Sequence, residues 1–420
     1  MKSVVTILSR LFRSFSLVFK EAPSWKLLSL IRRQKNDIHS CPWPTQSRGF
    51  DWVLFAVVVS AVLFGLLMVY SSSFIFAQER TGDGYAFIKR QVIYAAMGFC
   101  ALFFGYRVHY HQWLKWSYQI LGIIFVLLFA LWIPGLGVKA GGATRWLNLG
   151  IFRVQPAELC KVAFILFVSR HLYLKRDRIH LFRAGVLGTF LVPLPGLILL
   201  LLHPDFGSAA VIVFVTLGLL FLSGANRKHL ILTSGLGLIA GIVLIASSPY
   251  RWARFTAFLD PWKDPTGKGF QVLQSLVGIH NGSLWGVGLG NGKEKLFFLP
   301  EAHNDFILAV VGEELGFFGL AGVIALFTFF LYRGFRIASR SWVRHGDLFG
   351  FFFGAGLTLL IGIQAFTNIA VVLGLLPTKG LSLPFVSYGG SSLVVNLFVV
   401  GILLNIGLGP RNSKISEKLS

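Results

Sequence analysis

Apolar residues in this chain gather into long runs separated by short polar breaks. At about 1.5 Å of rise per residue, a run of roughly 20 residues covers the hydrocarbon layer of a bilayer. Ten such segments are predicted, at 51–76, 88–106, 114–133, 157–174, 184–202, 208–223, 229–247, 305–332, 348–374 and 390–408. The sixth is short and the fifth contains Pro193 and Pro195, so a kink or an incomplete crossing is expected there. The pattern predicts an all-α polytopic membrane protein of about ten transmembrane helices. It divides the chain into a basic tail at 1–50, a membrane domain at 51–410 and a short tail at 411–420. The longest polar interval, 248–304, separates the seventh and eighth helices, and a second, 134–156, follows the third.

Composition agrees with this pattern. Of the 420 residues 55% are hydrophobic and only 13% charged, a balance that excludes an ordinary soluble protein. The net charge of +22 would point a soluble chain towards nucleic acid. Here its distribution decides otherwise. With the N-terminus placed inside, 25 of the 39 Lys and Arg fall in the tails, inner loops and inner helix ends, against 6 of the 17 acids. Excess Lys and Arg mark the cytoplasmic side, so both termini are expected in the cytoplasm, the 248–304 loop outside, and no nucleic acid as partner. The tail carries nine bases and two acids, and its apolar residues are broken by Arg10, Arg13 and Lys20, so no cleavable leader is expected. An amphipathic helix on anionic lipid and a disordered basic tail fit it equally. Three scattered cysteines, Cys41, Cys100 and Cys160, suggest neither a disulfide framework nor a metal knuckle.

The outer boundary holds the candidate chemistry. Glu294, Glu301, Asp305, Glu313 and Glu314 cluster where the long polar interval enters the eighth helix. Ionisable groups at such a depth are costly, and more often functional than decorative. Asp305 stands where a helix would begin. The helix dipole there favours its carboxylate, burial opposes it, and the balance suits a general base; simple helix capping is the competing reading. Glu301 and His303 flank it, but their spacing matches no metal signature. Glu158 and Lys161, one turn apart, are expected to pair, either as a structural neutralisation or as part of the site. Arg145-Trp146 reads as a phosphate-binding cation beside an interface ring, or as a plain anchor, and Lys379 brings a further cation to the last outer loop. Asp205 is expected to cap the sixth helix, and the glycines from Gly286 to Gly292 to form a flexible hinge. One acid among several cations, opening towards lipid, suits an anionic amphiphile with a hydroxyl to be deprotonated.

Taken together, Arg145-Trp146, Gln155-Pro-Ala-Glu158, Pro204-Asp-Phe-Gly207, Asp260-Pro-Trp262, Gly286-Val-Gly-Leu-Gly290, Leu299-Pro-Glu-Ala-His-Asn-Asp-Phe306, Gly312-Glu-Glu-Leu-Gly316 and Pro377-Thr-Lys-Gly380 through Ser392 resemble the SEDS family of cell-wall polymerases (FtsW/RodA/SpoVE). The resemblance covers about residues 50–410 and is greatest to the division-specific branch. Asn304 stands where the family often has Thr, and His203 where Glu or Gln is expected. The resemblance implies peptidoglycan glycosyl transfer from lipid II on the outer face of the bacterial inner membrane, at the division septum. It makes Asp305 the catalytic acid, Glu158 and Lys161 the membrane ion pair, and Arg145, Lys379, Glu301 and His303 the groups around the substrate and its pyrophosphate. It implies a class B penicillin-binding transpeptidase and other divisome membrane proteins as partners, beside membrane lipid. No cofactor is encoded; a divalent cation would have to arrive on the substrate pyrophosphate. The rival readings are a lipid II flippase, which should show internal repeats and discontinuous helices at mid-membrane, and a non-catalytic divisome scaffold.

Overall fold

The structure is a computed structural model and describes residues 49–410 apart from 141–142, 149, 151–152, 264, 266, 268 and 379. Residues 1–48 of the basic tail, the whole 411–420 tail, Cys41 and Lys379 therefore lie outside the described residues.

The chain folds as α1 (Trp52–Thr81), α2 (Ala86–Arg107), α3 (Tyr110–Ala130), β1 (Gly137–Ala140), β2 (Ala143–Asn148), β3 (Arg153–Val154), α4 (Pro156–Leu174), α5 (Gly188–Leu191), α6 (Pro193–Leu202), α7 (Phe206–Leu222), α8 (Arg227–Ala246), α9 (Pro249–Leu259), α10 (Phe270–Gly282), α11 (Ile307–Glu314), α12 (Gly316–His345), α13 (Leu348–Val372) and α14 (Gly390–Gly407). Local chemistry sets several ends. Asp51, Asp205 and Asp347 cap α1, α7 and α13 by accepting from Leu54 N, Ser208 N and Gly350 N. Pro156 opens α4, and Gly82 and Gly346 end α1 and α12 in left-handed conformations.

Among the described residues seven helices are long and apolar enough to cross a membrane, namely α1, α2, α3, α8, α12, α13 and α14. The pair Arg183–Leu191 and Pro193–Leu202, bent by 41° at the proline-bearing junction, makes eight if it is counted as one span. The remaining expected crossings coincide with α4, which carries Glu158, Lys161 and Arg170, and with α7, only 17 residues long. The expected eighth helix is two pieces. α11 stops at Leu315, and α12 restarts at Gly316 with φ 65°. Glu313, Glu314 and Gly316 sit at this break, but long apolar stretches on both sides carry the hydrophobic pattern across it, which is why it predicts one helix.

α4, α13 and α14 fill the centre. α14 packs along α2, α13 along α12, α4 and α7, and α3 against α4. The α2–α14 contact is backbone-close, since a Cβ on Gly401 would lie 2.1 Å from the Leu102 carbonyl oxygen. α8 stands apart, with Leu230 its one buried residue. The helical architecture has one addition: β1, β2 and β3 form a small antiparallel sheet within the 134–156 interval.

Candidate active site

Asp305 lies in the turn 299–306, just before α11, rather than inside a membrane helix. Three neighbours fix this turn. The Asn368 amide, from α13, donates to the Asp305 carbonyl oxygen at 2.8 Å and to the Leu381 carbonyl oxygen at 2.7 Å. Tyr388 N donates to the His303 carbonyl oxygen at 3.0 Å. Asn304 N and Phe306 N close the turn onto the Glu301 carbonyl oxygen. The acid is thereby held against the loop 377–389, where a Cβ on Gly380 would stand 3.3 Å from Asp305 Oδ2. Glu301 and Phe385, on the two facing turns, both adopt left-handed φ, at 58° and 67°. Side-chain-bearing residues hold such conformations only where surrounding contacts enforce them, and they concentrate at functional sites.

The half-buried Asp305 carboxyl is pushed up to about 7, first by burial and then by Glu301, while Arg254 and Arg145 pull the other way. Arg254 comes from α9 and its guanidinium donates to the Thr378 carbonyl oxygen at 3.5 Å. Arg145 comes from β2, and its Nη2 donates to the Pro204 carbonyl oxygen at 2.5 Å. The sheet and the long loop thus each bring a cation to one carboxyl, and a carboxyl near 7 is matched to taking a proton at neutral pH.

The other sequence candidates separate. Glu301 is exposed and touches Asp305 through charge. His303 is buried among Phe76, Phe87 and Tyr388, with ring centroids at 5.2, 4.9 and 5.8 Å, and burial lowers its affinity for a proton. Its ring fills an aromatic box, and its main chain anchors Tyr388. Glu158 and Lys161 pair at 2.8 Å, shut away inside the first turns of α4. No hydrogen bond or ion pair among the described residues joins them to Asp305. Among the described residues no group of three or more His, Cys, Asp and Glu is arranged to hold a metal. Asp205 caps α7 as expected, through Ser208 N and Ser208 Oγ, and His203 contacts Leu128 O at 3.1 Å.

The glycine-rich segment is a seam, and the expectation of a hinge is corrected. Val287 N and Gly288 N donate to the Glu313 and Glu314 carbonyl oxygens at 3.0 Å, closing the C-terminus of α11. A Cβ on Gly286 would fall 2.1 Å from the Glu314 carbonyl oxygen, and φ there is 81°. Below the seam, Lys295 Nζ meets Glu314 Oε1 at 2.6 Å, and Ser71 Oγ of α1 donates to both Glu314 oxygens. The Glu313 carboxylate accepts from Lys293 N and Glu294 N. The acid pair 313–314 is legible in sequence; its partners Lys295 and Ser71 are not, and neither are Arg254 and Asn368, which only the fold brings near Asp305.

With this geometry in hand, comparison with known proteins is decisive. A family model described as "Cell cycle protein", FtsW/RodA/SpoVE, matches residues 51–411. The chain belongs to the FtsW/RodA/SpoVE family. Among relatives, a probable peptidoglycan glycosyltransferase FtsW of Geobacter sp. (strain M18) is 42% identical over 368 residues, 87% of this chain and 98% of the relative. The stage V sporulation protein E of Bacillus subtilis is 39% identical, over 86% of this chain and 98% of its own. Of solved structures, a chain from a peptidoglycan synthase complex described as coordinating polymerization and crosslinking aligns with TM-score 0.69 at 28% identity, covering 86% of this chain and 98% of that one. The rod shape determining protein RodA of Thermus thermophilus aligns with TM-score 0.63 at 26% identity, over 86% and 97%. The family match spans nearly the whole helical region, and the chain is a multi-pass membrane protein.

Proposed function

We propose that this protein is a peptidoglycan glycosyltransferase that polymerises lipid II on the outer face of the inner membrane during septal wall synthesis. The observation that carries the reading is a single carboxyl, Asp305, raised to about 7 and flanked by Arg254 and Arg145. Family membership and the named glycosyltransferase relatives support the substrate class.

The chemistry follows from this arrangement. Asp305 takes the proton of a sugar hydroxyl on an incoming lipid II. The freed oxygen attacks the anomeric carbon of the growing strand, and undecaprenyl pyrophosphate departs with the bonding pair. Charge builds on the departing diphosphate, and fixed guanidinium groups such as Arg145 and Arg254 stabilise it, with Lys379 assigned the same role. A single displacement inverts the anomeric centre, so an α-linked donor yields β-linked glycan. The partner is a class B penicillin-binding transpeptidase that crosslinks the product, a reading supported by the likeness to a chain of a synthase complex.

The test is polymerisation by protein reconstituted with lipid II, with and without the transpeptidase. Wild type should make glycan, and Asp305→Asn should lower the rate by about 10²–10⁴-fold, the usual worth of a general base. Undiminished polymer from Asp305→Asn would remove the acid from the mechanism. Transbilayer movement of lipid II without polymer would favour the flippase.

A further inference from the structure

Away from the site, one face of α12 changes character along its length. Gly322, Ala325 and Phe329 border an open furrow of about 620 Å³, closed on the other side by Trp52, Ala56 and Ser60 of α1. The small residues keep it open, and a Cβ on Gly322 would meet nothing within 4 Å. Continuing down the same face at helical spacing come Arg333, Arg336, Arg340 and Arg344. Arg333 is tied to both Asp51 oxygens at 3.0–3.1 Å, at the foot of α1. Arg340 lies within electrostatic reach of the other three, and Asp51 is the one acid acting on it. Arg336, Arg340 and Arg344 make no ion pair among the described residues.

We infer that the α1–α12 furrow and its arginine crown form a binding site for an anionic glycerophospholipid of the inner leaflet. The acyl chains lie in the furrow, the phosphate sits among Arg336, Arg340 and Arg344, and Trp52 marks headgroup depth. Length and polarity fit, since the furrow is apolar above the arginines, which cluster at the end that charge distribution assigns to the cytoplasm. Basic pockets between helices on that side take anionic headgroups. Charge also selects the occupant. The tail before Asp51 carries nine bases against two acids, so it cannot neutralise the crown. A partner helix would bring the basic cytoplasmic flank usual for membrane helices and be repelled. A phosphodiester with two chains satisfies both halves of the surface.

The test uses the full-length protein, delipidated in neutral detergent and titrated with phosphatidylglycerol, phosphatidylcholine or inorganic phosphate, with native mass spectrometry of the purified protein alongside. Phosphatidylglycerol should raise the melting temperature by about 4 °C at saturation, a shift expected when ligand far exceeds its dissociation constant. Phosphatidylcholine and phosphate should do neither. R336Q/R340Q should fold, retain polymerising activity and lose the shift, and Gly322→Leu should lose it by filling the furrow. Equal shifts from both lipids, a shift from phosphate alone, an unchanged response in R336Q/R340Q, or a polypeptide rather than lipid retained on the furrow would overturn the assignment.

Discussion

Asp305 makes opposite demands on catalysis and on stability. As a base ionising near pH 7, it should give a kcat/KM for polymerisation that climbs tenfold per pH unit below that point and levels above it. Folded, the carboxyl keeps its proton up to about 7; unfolded, it loses it near 3.8. Between those values the folded state binds more protons, so this residue's contribution to stability falls as pH rises. Asp305→Asn should therefore melt no lower than wild type at pH 7.5 while losing activity, which scanning calorimetry beside the polymerisation assay will check. Arg254→Gln removes a cation that favours the carboxylate. Its acid limb should move to higher pH, with the maximal rate reduced as well because the departing diphosphate loses a partner. An unshifted limb would show that Arg254 does not act on Asp305. Asp305 is legible because a cluster of acids at a helix entrance stands out in so apolar a chain. Arg254 and Asn368 are not legible, since each reaches the acid from a segment distant in sequence, and neither lies in a motif whose chemistry demands it.

At the scale of elements, the helices are legible because a bilayer permits little besides long apolar runs. The break at Leu315–Gly316 and the small sheet are hidden for the same reason in reverse. The first, despite Glu313 and Glu314 beside it, lies between two apolar stretches that read as one, and the second uses two to six residues per strand, too few for an alternating pattern to emerge. The glycines from Gly286 to Gly292 show how composition misleads. Glycine permits motion, but it also permits backbones to touch, and here contact with the end of α11 is what it serves. The buried link below that contact is testable. Lys295→Met strands the fully buried Glu314 carboxylate and should cost about 3–5 kcal/mol. Lys295→Met with Glu314→Leu should recover most of the loss, and thermal unfolding of the four-member cycle decides it.

On the scale of the molecule, the two ends of the bundle carry different charge and different work. One end of the bundle gathers the acid, the strained turns and the sheet; the other gathers the arginines of α12, and charge distribution predicts that the first faces outward. In a variant lacking the native cysteines, a membrane-impermeant maleimide applied to spheroplasts should label Cys placed at Glu301 and spare Cys placed at Arg344, both exposed positions. The reverse pattern would turn the protein over in the membrane and put its chemistry beside the wrong pool of substrate.

The Glu314–Lys295–Ser71 knot constrains how the segment leading into α11 can move. A salt link joins Lys295 to Glu314, the Ser71 hydroxyl ties both of them to α1, and the glycine seam holds 287–288 to the end of α11, so this segment and α1 are expected to shift together. A ligand that displaced Ser71 from this knot would therefore uncouple α1 from the run leading to Asp305 without touching that carboxyl.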